Sequence, residues 1–211
     1  MLALDHLVIA TKDPLKSAEQ FAKKYQVKIV QGGKHDIWGT HNVLAYFSNN
    51  CYIEWLGIFD EKVAKHSNNP LIQQLVHQLK NNGEGLFQYG LRTKEMDIFI
   101  DHFSANNIPY VGPLKGERKR PDGTNLMWRM LFPESSLFIT PFLIEWGQPN
   151  LYGADPAVVN DQKLTVFINE KENLQLFHHI YQSDEREEKI SLQNGHLRLT
   201  KDHLLHVTVK D

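Results

Sequence analysis

Four side chains in this sequence could share one piece of chemistry. Glu54 sits in Tyr52-Ile53-Glu54-Trp55-Leu56-Gly57, and Glu145 sits in a near copy, Phe142-Leu143-Ile144-Glu145-Trp146-Gly147. An acid flanked by Ile, Trp and Leu is costly to bury unless something positive meets it, so a repeated one asks what that positive group is. Upstream, Ala3-Leu4-Asp5-His6-Leu7-Val8-Ile9-Ala10 aligns without gaps over Gly85-Leu86-Phe87-Gln88-Tyr89-Gly90-Leu91-Arg92, and His6 falls on Gln88. One imidazole nitrogen, two carboxylates and an amide oxygen make a donor set for a divalent ion such as zinc, nickel, manganese or iron, with positions left open for substrate. The same residues also fit a metal-free arrangement, in which His6 and Glu54 form a buried hydrogen bond and Gln88 spans a sheet edge.

Convergence requires strands, because side chains alternate faces along them. Leu4, His6 and Val8 then share one face, as do Tyr52, Glu54 and Leu56, and as do Leu143, Glu145 and Gly147. Residues 4–10 read as a strand, and Asp13-Pro14 as the cap and first residue of a helix with Leu15, Ala18, Phe21, Ala22 and Tyr25 inward. A short strand at 27–30, a polar loop opened by Gly32-Gly33, and strands at 43–47 and 51–58 complete a β-α-β-β-β unit. After a connector whose helix starts at Asn69-Pro70, the pattern restarts with strand 86–91, a helix bearing Met96, Phe99, Ile100 and Phe103, and strands at 108–111, 125–132 and 138–146. Two such copies can pair their sheets around one cleft. A weaker third echo has Leu164 in the place of His6 and no Glu ending its last strand, so it is expected to be structural, covering a sheet edge or making a dimer contact. The expected division is 1–58, 59–84, 85–150 and 155–211.

Composition bounds the rest. With 211 residues, 41 % of them hydrophobic, the chain can bury a substantial core. Its 23 basic and 25 acidic residues give no electrostatic footprint for nucleic acid or an anionic membrane surface. A single cysteine, Cys51, and a start without a basic and then apolar leader point to a cytoplasmic setting, and no apolar run is long enough to suggest a membrane span.

These residues resemble the vicinal oxygen chelate superfamily, and more narrowly its glyoxalase-like branch. The narrower likeness rests on Gly33-Lys34-His35-Asp36-Ile37-Trp38-Gly39-Thr40-His41-Asn42, on Arg118-Lys119-Arg120-Pro121-Asp122-Gly123 leading to Trp128-Arg129, and on Pro141-Phe142-Leu143-Ile144-Glu145-Trp146; the whole resemblance spans roughly residues 3–147. It implies an α+β fold: tandem βαβββ modules forming a curved mixed sheet around a cleft, with a shorter C-terminal α/β unit. The modules pair within one chain or across a homodimer. A metal is implied, with ligands from the first and last strands of each module, the positions of His6, Glu54, Gln88 and Glu145. That set is similar to the ligands of glyoxalase I enzymes, which isomerise the glutathione hemithioacetal of methylglyoxal.

The expectation is therefore a metal-dependent lyase or isomerase, or a dioxygenase of the vicinal oxygen chelate type, acting on a small anionic, oxygenated molecule. The metal would be a Lewis acid and Glu145 or Glu54 the base. Trp38, His41, Asn42, Arg120, Asp122 and Arg129 are the expected substrate-binding residues. A metal-free small-molecule binding protein of the same fold is the alternative.

Overall fold

A computed structural model describes residues 1–119, 125–137, 139–147, 155–168, 174–183, 189–199 and 206–210. The first copy supplies β1 (Ala3–Ala10), α1 (Pro14–Tyr25), β2 (Val30–His35), β3 (Thr40–Phe47) and β4 (Cys51–Ile58). A short helix, α2 (Glu61–Lys65), and α3 (Pro70–Asn81) connect it to the second, made of β5 (Gly85–Arg92), α4 (Met96–Ala105), β6 (Tyr110–Lys119), β7 (Asn125–Pro133) and β8 (Phe142–Trp146). The strands form one curled mixed sheet, a half-barrel in the order β2-β3-β4-β1-β5-β8-β7-β6. Its centre is the antiparallel pairing of β1 with β5, so the two copies pair within a single chain.

The helices start where local chemistry dictates. Asp13 accepts from Lys16 N at 3.0 Å, and Asn69 from Leu71 N at 3.0 Å, each just before a proline whose missing N–H costs nothing there. Glu95 makes no such bond at the start of α4. Glu145 of β8 takes over, accepting from Met96 N at 3.1 Å, where the helix dipole favours a carboxylate.

Two apolar layers clothe the sheet. On the outer face Leu7, Ile53, Trp55, Leu91 and Leu143 pack against Ala18 of α1 and Met96, Phe99 and Phe103 of α4. On the inner face Val8, Leu56, Met130, Phe142 and Ile144 pack against Leu71, Ile72 and Leu75 of α3. The connecting helix thus enters the cleft and fills part of it.

Three departures from the sequence pattern matter for the site. The β1–β5 register slips between Leu4 and His6, so Asp5 is a bulge residue. Leu4 consequently lies in the outer core, away from the face it was expected to share with His6, while Asp5 and His6 both reach the inner side. The stretch read as a loop after Gly32-Gly33 is strand β2 with a register shift between Gln31 and Lys34. A Cβ on Gly32 would fall 1.9 Å from Asn42 Oδ1, so the glycine there makes room for the Asn42 side chain and does not end a strand. Leu15, placed inward by its spacing, is 49 % exposed.

The C-terminal unit begins with β9 (Val159–Asn160), which adds to β3, followed by β10 (Lys163–Ile168), α5 (Leu174–Tyr181), β11 (Ile190–Leu192), β12 (Gly195–Leu199) and β13 (His206–Lys210). These last four strands form a second sheet, β11-β12-β10-β13. Phe177, Ile180, Tyr181 and Leu197 join the outer core of the half-barrel. Asn169, a residue suited to cap a helix, and the acidic run 184–188 lie outside the described residues.

Candidate active site

His6 is 3 % exposed and held between two acids. Its Nδ1 donates to Asp5 Oδ1 at 2.7 Å, and its Nε2 lies 3.5 Å from Glu54 Oε2. Tyr52 stacks on the imidazole at 4.5 Å, and Phe142 meets it edge-on at 5.3 Å. Gly90 lies opposite, where a Cβ would come within 2.8 Å of the Phe142 ring and 3.3 Å of His6 Cε1. Only a residue without a side chain lets the two rings close on the sheet.

Each acid has further donors. Asp5, fully buried, also accepts from Arg92 Nη1 at 3.0 Å and Trp146 Nε1 at 2.9 Å. Glu54 Oε1 accepts from Asn42 Nδ2, and Asn42 Oδ1 is itself fixed by Gly33 N at 2.8 Å. Burial alone would lower the His6 pKa, but the two carboxylates outweigh it and raise it to about 9. Burial would push both acids up, yet hydrogen bonding and charge from His6 hold each below the usual carboxylate range; His35 and Asn42 assist at Glu54, Arg92 and Trp146 at Asp5. At neutral pH the line reads carboxylate, imidazolium, carboxylate.

Glu54 and His6 open onto a small, mainly apolar cavity of about 60 Å³. Its walls include His35, Trp38, Trp128 and Trp146, with Leu71 and Ile72 of α3 closing one side. His35 is set by a 3.1 Å bond between its Nδ1 and Thr40 Oγ1 and meets Trp38 edge-on at 5.7 Å. On the other face of β6, β7 and β8 a wider groove of about 550 Å³ is lined by Ile37, Lys115, Met127, Arg129 and Glu145, with Trp128 at its border.

The structure brings together His6, Glu54, Asn42 and Trp38. Gln88 and Glu145 have other partners. Gln88 lies under α3, its Nε2 donating to Gln74 Oε1 at 3.1 Å and Thr140 O at 3.2 Å, while its Oε1 accepts from Tyr89 N at 2.8 Å. Glu145 is on the outer face, bound to Arg129 Nε at 2.6 Å and to the start of α4. Ile144 and Trp146 point into the cavity instead. His41 also faces outward, between Gly57 and Phe59, because its neighbours Thr40 and Asn42 take the inner side. Arg129 is clamped by Asp97, at 2.8 and 3.0 Å, as well as by Glu145. Arg120 and Asp122 lie outside the described residues.

Sequence reasoning passed over Asp5, whose signal was an acid adjoining a histidine within an apolar strand. His35 was not among the expected substrate-binding residues, because the loop reading concealed that β2 runs on to residue 35.

As folded, these side chains do not fit a resident divalent ion. Of the four expected donors only His6 and Glu54 lie together, at 3.5 Å. Two of the four expected donors are committed elsewhere, and among the described residues no group of three or more His, Cys, Asp or Glu is placed to hold a metal. No helix among these residues is long and apolar enough to cross a membrane.

A curled sheet of paired βαβββ copies around an inner polar centre is the architecture of the vicinal oxygen chelate superfamily. The chain belongs to the glyoxalase-like domain family, whose profile matches residues 4–185. No curated protein matches it. Among solved structures, a hypothetical protein from Staphylococcus aureus is 18 % identical with a TM-score of 0.80, covering 99 % of this chain and 91 % of that one. The methylmalonyl-CoA epimerase of Streptomyces coelicolor, in complex with 2-nitronate-propionyl-CoA, is 16 % identical with a TM-score of 0.51, over 70 % of this chain and 100 % of the other. The Mycobacterium tuberculosis epimerase is 18 % identical with a TM-score of 0.51, over 72 % and 92 %. At these identities the likeness is one of fold.

Proposed function

We propose that this chain is an isomerase-type enzyme that moves a carbon-bound proton of a small carbonyl compound held in the inner cavity. The observation that carries the reading is the Asp5–His6–Glu54 line ending at a small apolar cavity. The 2.7 Å bond to Asp5 fixes the imidazole, whereas the 3.5 Å contact to Glu54 holds the Nε2 proton loosely. A substrate carbonyl oxygen takes up that hydrogen bond. Glu54 then removes the proton from the adjacent carbon, the C–H electron pair moves onto the carbonyl, and the enolate oxygen is stabilised by imidazolium. Return of the proton from Glu54 to the same carbon, after the enolate has turned its other face to the carboxyl, completes an epimerisation; in a 2-hydroxy substrate, where the hydroxyl proton also passes to the enolate oxygen, its return to the former carbonyl carbon completes an isomerisation. No step passes through a metal, because the donors do not fit one.

Pocket size limits the reacting head to a few heavy atoms. Two epimerases of this fold are named for methylmalonyl-CoA, a carbon acid with a small reacting head and a long tail, which makes it a sensible first probe.

The test is deuterium uptake. Wild-type protein, with and without prior chelator treatment, is incubated in D2O with methylmalonyl-CoA and a panel of small 2-hydroxy and 1,3-dicarbonyl compounds. Loss of the α-proton is followed by NMR. Exchange by both wild-type samples, falling at least about a hundredfold in Glu54→Gln, supports the mechanism. Exchange that disappears with chelator and returns with zinc, nickel, manganese or iron would restore the metal-dependent reading. Saturable binding of a compound without exchange would favour the binding-protein alternative.

A further inference from the structure

Asn194 stands in the turn between β11 and β12, and its side-chain amide is spent on the start of the half-barrel. Its Oδ1 accepts from Leu4 N at 2.9 Å, and its Nδ2 donates to Leu4 O at 2.8 Å. The amide therefore pairs with Leu4 as a neighbouring strand would. That edge needs a partner: β4 pairs with β1 only from His6 onward, and the bulge at Asp5 follows Leu4 directly. The same Nδ2 reaches Asn49 O at 2.9 Å and Asn50 O at 3.2 Å. Asn50 O also accepts from Arg92 Nη2 at 3.2 Å, so the counter-ion of Asp5 and the residue that pins Leu4 share one carbonyl. Asn49 reciprocates, accepting from Leu164 N at 3.1 Å and donating to Leu164 O at 3.0 Å, while Gln193 N donates to Leu2 O at 2.9 Å.

We infer that Asn194 is a positioning residue: through it the C-terminal unit holds the Asp5 bulge from the side where β4 has not yet begun, and through Asp5 it sets the His6 imidazole. This gives the third, acid-free echo of the repeat a task at the site without adding a group to it. Its meaning for catalysis rests on the proton-transfer reading above; its geometry does not, and the test reads geometry alone.

Trp146 is the reporter, because its indole N–H donates to Asp5 Oδ2 at 2.9 Å. The chain has only 4 tryptophans, so Trp146→Phe assigns the indole resonance in a ¹H–¹⁵N spectrum. The comparison is Asn194→Ala against Asn160→Ala. Asn160 makes three similar backbone bonds, to Lys28 N at 2.6 Å, Lys28 O at 3.0 Å and Tyr46 O at 2.8 Å, but none reaches Asp5. Asn194→Ala should displace the Trp146 indole resonance and speed its hydrogen exchange by about tenfold or more, with Asn160→Ala staying within about twofold of wild type. Equal responses in the two variants, or none in either, would overturn the inference. Should Asn194→Ala fail to fold, wild-type exchange decides. A Leu4 amide protected like that of Leu7 upholds the clamp, and one exchanging like a free chain end refutes it. Failure of the deuterium-uptake assay leaves this measurement untouched.

Discussion

Replacing His6 with glutamine should remove a pH-dependent part of the stability whose size follows from the site. The two carboxylates raise the His6 pKa from an ordinary 6.5 to about 9 in the folded chain, against the opposing effect of burial. At about 1.4 kcal/mol per pH unit, that gap corresponds to about 3 kcal/mol. The folded value lies above the unfolded one, so the contribution is fully present below about pH 6.5 and is lost as pH rises through 9. Asp5 and Glu54 are held below their ordinary values and stay ionised across this window, and Cys51, pushed up to about 12 by burial, titrates above it. Urea denaturation of wild type and His6→Gln at about pH 6, 8 and 10 gives the difference free of other groups. The wild-type advantage should shrink by about 3 kcal/mol from the lowest to the highest pH, with much of the loss above pH 8 still to come. An advantage constant to within about 1 kcal/mol, or one that grows with pH, would refute the claim that the proton is held on His6 between two charged acids.

Two other sites offer sharp outcomes. Arg92→Met leaves the fully buried Asp5 without the guanidinium at 3.0 Å; denaturation at neutral pH should show a cost of about 3–5 kcal/mol that narrows as acid protonates Asp5. Gly116→Ala would put a Cβ 2.4 Å from the Trp128 indole, so the ring must leave its seat between cavity and groove. A changed emission spectrum, absent when the substitution is made in a Trp128→Phe background, and a loss of about 1–3 kcal/mol are expected.

The duplicated βαβββ pattern, the caps at Asp13 and Asn69, and the pairing of His6 with Glu54 were all legible, because each rests on local chemistry or on a two-residue alternation. The remainder depended on events that alternation does not record. A bulge at Asp5 exchanged the faces of Leu4 and Asp5, so an acid that reads as an outward residue became the second partner of His6. The connecting helix that starts at Asn69-Pro70 packs inside the cleft, where Gln74 engages the amide of Gln88. Neither the depth to which α3 sinks nor the fate of Gln88 is encoded in the spacing of Leu71, Leu75, Val76 and Leu79. Those residues say only that some apolar surface awaits them.

Glu145 teaches a different lesson, since its placement follows from one residue of offset. Laid end to end without gaps, Tyr52 to Gly57 and Phe142 to Gly147 align Tyr52 with Phe142, Glu54 with Ile144, and Trp55 with Glu145. The sheet uses this frame: Tyr52 is opposite His6 on β1 and Phe142 opposite Gly90 on β5, while His6 and Gly90 are partners across the central pair. Matching the two Ile-Glu-Trp strings instead shifts one copy by a single position, which in a strand carries every side chain to the other face. The structural counterpart of Glu54 is thus an isoleucine, and Glu145 satisfies its charge on the outside with Arg129 and the α4 terminus. Duplication has produced one charged half and one apolar half, not two equivalent half-sites. A substrate in the cavity meets His6 and Glu54 on one side and Ile144, Met130 and the Trp128–Trp146 pair on the other. Such an arrangement orients a molecule with one polar, enolisable end more strictly than a symmetric cleft could, because its reversal would bury that polar end against hydrocarbon and leave two charged partners facing an apolar tail.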